Sequence, residues 1–62
     1  MIYLKIKKIR EQSNITREYI AIQMEISIKN YIEIEKGNID LRLSKLKQLS
    51  DLLGVLRSDF FD

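Results

Sequence analysis

The chain has 62 residues, of which 45% are hydrophobic and 32% are charged. This length and composition predict one globular domain over residues 1–62, near the smallest size at which an apolar core is self-sufficient. Cysteine and histidine are absent, which excludes disulfides and thiolate metal sites. No apolar run approaches the roughly 18 residues of a membrane span, so we expect a cytoplasmic protein.

Charge is unevenly distributed along the chain, although the net charge is only +2. Residues 1–18 carry a net +3, residues 19–40 a net −2 and residues 41–62 a net +1. Positive charge therefore flanks the central segment. A nucleic-acid duplex would have to be held through its phosphates from either side of that segment. On composition alone, an ordinary solvated surface is the favoured explanation of these lysines.

The first helix is predicted over residues 2–12. Ile2, Ile6 and Ile9 fall at i, i+4 and i+7 and form one apolar stripe. Asn14 is a residue type that tolerates the left-handed conformation at a helix end. We expect Ile15 to return the chain to the core.

Two short helices joined by a tight turn are predicted between Thr16 and Gly37. Thr16 and Ser27 suit helix N-caps, because each precedes an apolar-periodic run. The segment Met24–Ile26 between the helices is long enough only for a turn. This layout is that of a helix-turn-helix motif. The expected buried face of the second helix comprises Ile20, Ala21 and Met24.

The third helix has two distinct faces when its residues are spaced at about 100° each. Tyr31 and Ile34 fall on the side expected to face the core. The outward side comprises Lys29, Ile32, Glu33 and Lys36, with Ile28 at its margin.

A fourth amphipathic helix is predicted after an irregular connection in which Ile39 or Leu41 turns inward. Its apolar face comprises Leu43, Leu46, Leu49 and Leu53. Gly54 ends this helix, and Leu56 to Asp62 form a final turn or two. The sequence therefore predicts an all-α fold of five short helices around one core.

One pattern of residues runs along nearly the whole chain. It consists of Arg10, Thr16, Ile20-Ala21, Met24-Glu25-Ile26, Ser27, Tyr31, Ile34-Glu35, Gly37 and a leucine block ending at Gly54-Val55. This pattern resembles the lambda-repressor-like, Cro/C1-type (XRE-type) helix-turn-helix family, without a gap from about Ile2 to Phe61. Three positions depart from the family pattern: Glu25 replaces a glycine, Arg17 a glutamine and Arg42 a capping serine.

The resemblance implies a small prokaryotic or phage-type transcriptional regulator, most simply a repressor, that binds double-stranded DNA with helix 3 in the major groove. The positions implied to contact bases are Ile28, Lys29, Ile32 and Glu33. Those implied to contact phosphates are Thr16, Arg17, Ser27, Lys36, Asn38 and Arg42. The resemblance also implies a structural ion pair between Arg10 and Glu35.

A homodimer is expected, because one such domain contacts few base pairs and two half-sites add affinity. The candidate interface residues are Leu56, Phe60 and Phe61, which could instead close the core. The alternative function is a protein-interaction module, for example an antitoxin-type partner of a toxin or of another regulator, with weak or no DNA binding. Ile28, Ile32, Asp40 and the negative charge of residues 19–40 favour that alternative.

Catalytic motifs are missing from the sequence. Besides lacking histidine and cysteine, the chain has no glycine-rich phosphate loop and no clustered carboxylates. We therefore expect no enzymatic activity, no cofactor, no metal and no small-molecule ligand.

Overall fold

The computed structural model describes residues 1–61. Four α-helices follow one another in the chain: α1 (Ile2–Gln12), α2 (Arg17–Met24), α3 (Ile28–Glu35) and α4 (Leu43–Leu53). They are followed by a 3-10 helix, Arg57–Phe61. The all-α class is confirmed, but the predicted fifth helix is only this 3-10 segment, because so few residues after Gly54 cannot sustain an α-helix. Asp62, the end of the predicted final turn, lies outside the described residues.

A single apolar core fills the space between the helices. α3 packs against α1 and α2, while α4 packs against α2 and the 3-10 helix. Tyr31 and Ile34 lie on the core face of α3, as predicted. The buried apolar residues are Ile6, Ile20, Ala21, Met24, Tyr31, Ile34, Leu46, Leu49, Leu53 and Phe60. None of the helices in the described part of the chain has the length and apolar character to cross a membrane.

The predicted apolar face of α4 was wrong at Leu43, the first residue of the helix. Leu43 is 65% exposed, because it lies in the first turn of α4, and the buried part of the helix begins only at Leu46. The core face of α4 instead includes Ser50, whose hydroxyl donates to the carbonyl of Lys47 at 2.7 Å. In the connection before α4, Leu41 packs against the core and Ile39 does not.

The four α-helices all end in the same way, with one residue in the left-handed conformation. These residues are Asn14 (φ 57°), Glu25 (φ 58°), Gly37 (φ 80°) and Gly54 (φ 71°). In each case the next amide donates to the carbonyl five residues back, which satisfies carbonyls at the helix end. After three of these ends the residue is apolar and packs against the core: Ile15, Ile26 and Val55. Left-handed residues and apolar anchors together thus set the direction in which the chain leaves each helix.

Gly37 is also held by a close approach of α1. A Cβ atom built at Gly37 would lie 2.7 Å from Cε1 of Tyr3. The Tyr3 ring therefore packs directly against the glycine backbone at the end of α3. A side chain at position 37 would need both an unfavourable φ and a displaced ring.

Candidate functional site

The starts of α2 and α3 are fixed by hydroxyl caps. Thr16 Oγ1 accepts a hydrogen bond from the amide of Tyr19 at 3.0 Å, and Ser27 Oγ accepts one from the amide of Asn30 at 3.0 Å. The predicted N-caps are thereby confirmed. Each hydroxyl accepts in this role, so its own hydrogen remains available to an oxygen of a ligand.

The turn between α2 and α3 is built around Glu25. Its backbone is left-handed, which is the conformation that glycine usually supplies at a helix end. Met24 before it is buried, and Ile26 after it packs against the core. The angle between α2 and α3 is therefore set by the left-handed backbone of Glu25 and by the packing of Met24 and Ile26 against the core.

The outward side of α3 presents both charged and apolar groups. Lys29 and Lys36 are exposed, and Ile28 is 42% exposed. Ile32 and Glu33 are half-buried, so they are less outward than their helical position indicates. A carboxylate oxygen of Glu33 accepts a hydrogen bond from the side-chain amide of Asn38 at 2.6 Å. This face can thus donate through its lysines, accept through Glu33 and offer isoleucine methyl groups.

The connection from α3 to α4 carries the remaining candidates. Asn38, Asp40 and Arg42 are all exposed. Arg42 occupies the N-cap position of α4 without a side-chain cap, as its departure from the serine pattern predicts. The Arg42 side chain is accordingly not used to hold the start of α4.

The comparisons with known proteins agree with this geometry. A family model described as a helix-turn-helix domain matches residues 3–62. The chain belongs to this family of XRE-type helix-turn-helix domains. No curated protein and no solved structure matches the chain.

A buried ion-pair cluster lies beneath the helix-turn-helix surface and is centred on Glu35. Arg10 Nε donates to Glu35 Oε2 at 2.5 Å, and Arg10 Nη2 donates to Oε1 at 3.3 Å. Arg10 Nη1 donates to the carbonyl of Ile15 at 2.9 Å. The structure thus contains the ion pair implied by the family resemblance, and it ties α1 and the α1–α2 loop to the end of α3.

Two further residues join the cluster that sequence reasoning did not place there. The Tyr31 hydroxyl donates to Glu35 Oε2 at 2.6 Å, and Arg17 Nε donates to Glu35 Oε1 at 3.0 Å. The Tyr31 bond had a signal in the sequence, since residues 31 and 35 are one helical turn apart and a buried phenol needs a partner. Arg17 had none, because its contact joins two different helices.

The cluster shifts the pKa values of its members in directions that favour the bonded state. Hydrogen bonding to Glu35 raises the pKa of Arg10, against the opposing effect of burial. Burial, and then the hydrogen bond to Glu35, raises the pKa of the Tyr31 phenol. Burial alone would raise the pKa of Glu35, but the hydrogen bonds from Arg10, Tyr31 and Arg17 lower it overall. Glu35 is therefore a carboxylate at neutral pH.

The three candidate dimer residues differ in their exposure to solvent. Phe60 is 1% exposed and belongs to the core. The alternative that these residues close the core is therefore confirmed for Phe60, and its place in the candidate interface was wrong. It is buried because the 3-10 helix packs against α1 and α4. Leu56 and Phe61 are 70% and 56% exposed.

Among residues 1–61, no group of three or more potential metal-ligating side chains is brought together.

Proposed function

We propose that this helix-turn-helix domain binds double-stranded DNA in a sequence-specific manner and acts as a transcriptional regulator, most simply a repressor. The observation that supports this best is the division of α3. Tyr31 and Ile34 hold one side in the core, while Lys29 and Lys36 are exposed on the other. A recognition helix needs such a fixed back and a polar front that fits the major groove.

Base contacts would come from four residues on α3. Lys29 would donate to guanine O6 or N7, and Glu33 would accept from the amino group of cytosine. Asn38 already binds one oxygen of Glu33 and would hold this carboxylate in position. Ile28 and Ile32 would contact thymine methyl groups.

Phosphate contacts would flank this face. Thr16 and Ser27 would donate their free hydroxyl hydrogens, alongside the amides that open each helix. Arg17, Lys36 and Arg42 would supply positive charge, since each has an exposed or partly exposed side chain. Asn38 would contribute an amide. These groups set the register of the protein on the duplex and not its sequence preference.

Binding as a homodimer would double the number of these contacts. Two half-sites about one helical turn apart are the usual arrangement for helix-turn-helix dimers. Leu56 and Phe61, exposed at the 3-10 helix, are the remaining candidates for the interface. The variant Phe61→Asp is expected to lower the sedimenting mass to that of one chain, and an unchanged mass would place the interface elsewhere.

Fluorescence anisotropy with a labelled duplex of random sequence tests the proposal. We expect binding at low salt that weakens steeply as salt is added, because displacement of phosphate counterions drives non-specific binding. Selection of bound duplexes from a random pool should then yield a short preferred sequence. No binding at low salt would contradict the proposal.

A protein-interaction module is the second candidate function. Ile28 exposes a large apolar side chain on α3, and Glu25 before α3 and Asp40 after it carry exposed negative charge. Such a surface would suit another protein better than a phosphate backbone. The absence of any duplex binding at low salt would favour this candidate.

A further inference from the structure

We propose that Glu35 positions Arg17 for a DNA phosphate, so that the carboxylate that ties α1 to α3 also prepares the binding surface. This inference rests on the DNA binding proposed above. It assigns Glu35 a positioning role in addition to its structural one, and it explains why Arg17 can replace the usual glutamine of the family.

The first support is the difference in exposure between Glu35 and the two arginines that bind it. The Glu35 side chain is only 3% exposed, whereas that of Arg17 is 39% exposed. Arg17 therefore reaches from the buried carboxylate to the protein surface. Arg10, whose side chain is 9% exposed, uses all three of its nitrogens inside the cluster. Of the two arginines, only Arg17 is placed to meet a ligand.

The second support is the atom through which Arg17 is held. Its Nε donates to Glu35 Oε1, and this is its sole side-chain hydrogen bond within residues 1–61. A guanidinium has five N–H donors in a planar fork. Binding at Nε fixes the plane of that fork and leaves the two terminal nitrogens, with four donors, for another acceptor. A phosphate is the acceptor that such a planar pair of donors fits best.

Charge in the cluster points to an anionic ligand as well. Two arginines share one carboxylate, and Tyr31 joins them as a neutral phenol. One positive charge therefore remains unbalanced, and Arg17, as the more exposed arginine, is the one that can present it to a ligand. Thr16, the preceding residue, keeps a hydroxyl hydrogen that could donate to the same phosphate.

Three variants separate positioning from bare charge. Arg17→Gln should lower the slope of log K against log salt by about 0.9 for each bound copy and leave base preference unchanged. Arg17→Lys keeps the charge, but one ammonium cannot bind Glu35 at one nitrogen while presenting two others. Its slope should stay near wild type, with affinity lower by roughly 2- to 12-fold at every salt concentration, the range for ordering one long side chain. Arg57→Gln removes an exposed charge from the 3-10 helix and controls for net charge.

The results distinguish this inference from failure of the proposed function. Wild-type affinity for Arg17→Lys would overturn the positioning role, because charge alone would then suffice. An unchanged slope for Arg17→Gln, combined with a loss of stability, would make Arg17 purely structural. If the wild-type chain binds no duplex at all, DNA binding itself fails and the positioning role with it.

A measurement without DNA tests the contact itself. In NMR spectra of the free chain, the Nε–H resonance of Arg17 should exchange with solvent more slowly than that of Arg57. Equal exchange rates would show that Glu35 does not hold Arg17, and they would overturn the inference even if the chain binds DNA.

Discussion

The two sides of α3 are built in different ways. On the core side, Tyr31 and Glu35 are buried, and Glu35 accepts hydrogen bonds from the Tyr31 hydroxyl and from the arginines of α1 and α2. On the solvent side, Lys29 and Lys36 are exposed. The core side determines whether the helix is held at all, and the solvent side determines what it can contact. Substitutions on the core side should therefore change stability, and those on the solvent side should change binding. Arg17 should affect both, because it binds the buried Glu35 and is itself partly exposed.

The largest effect is expected from Arg10→Ala. It leaves the Glu35 carboxylate buried without its main partner, which should cost about 3–5 kcal/mol of unfolding free energy. In a small domain this is a large share of the total. Urea unfolding at neutral pH, followed by circular dichroism, measures the loss.

Lys8→Ala is the matched control for that variant, because Lys8 is an exposed cation on the same helix. It should change stability by less than about 0.5 kcal/mol. Equal stability of the two variants would mean that the cluster does not hold the core side together. A loss of DNA binding in Arg10→Ala should accompany unfolding and would not identify a DNA contact.

Acid should weaken the same cluster. The pKa of Glu35 is lowered from its ordinary value of 4.5, so the stabilisation is present above that value and is lost as pH falls through the lower folded-state pKa. Unfolding free energy measured from pH 7 to pH 2 should decline below about pH 4.5. A flat profile over this range would indicate that folding leaves the pKa of Glu35 unchanged, which would contradict the stabilisation of its carboxylate by the cluster.

Gly37→Ala tests the contact that closes α3 against α1. Its positive φ should cost about 1 kcal/mol or more, and the contact with the Tyr3 ring should add to that cost. Gly54→Ala is the matched control, since Gly54 has a similar φ and open space around it. In a Tyr3→Ala background the two glycine substitutions should cost the same, and a persistent difference would rule out the ring as its cause.

On the solvent side, Lys29→Ala and Lys36→Ala should differ in kind. Loss of a base contact at Lys29 should change preference at one base pair by about 1 kcal/mol. Loss of a phosphate contact at Lys36 should weaken all sequences alike and reduce the salt slope by about 1. Both proteins should keep wild-type stability, because both side chains are exposed. Identical sequence profiles for both variants would remove Lys29 from base reading.

The smallest effect is expected at the turn. Glu25→Gly should raise the unfolding free energy by about 0.5–1 kcal/mol, because glycine adopts a positive φ without strain. Asn14→Gly is the control and should gain less, since asparagine tolerates this conformation better. A lower stability of Glu25→Gly would show that the turn needs its side chain.

Much of the fold, and the division of α3 into two sides, could be predicted from the sequence. The limits of α1, the caps at Thr16 and Ser27, and the core face of α3 follow from local residue types and from the helical period. Such patterns report which face a residue occupies, and they are reliable where a helix is long enough to repeat them.

The rest depends on contacts between distant parts of the chain. Neither the approach of Tyr3 to Gly37 nor the bond from Arg17 to Glu35 has a local pattern. At the C-terminus, Phe60 and Phe61 are adjacent aromatic residues, and a single 3-10 turn has too few residues to show which of them faces inward. The buried member could be recognised only once the packing against α1 and α4 was known.

The most direct test of the central claim is a titration of the isotope-labelled chain with duplex DNA, followed by NMR at low salt. The account predicts that the largest shifts fall on Ile28, Lys29 and Lys36, together with the start of α2 and the Nε–H of Arg17. Shifts confined to Leu56 and Phe61, or no shifts at all, would contradict it.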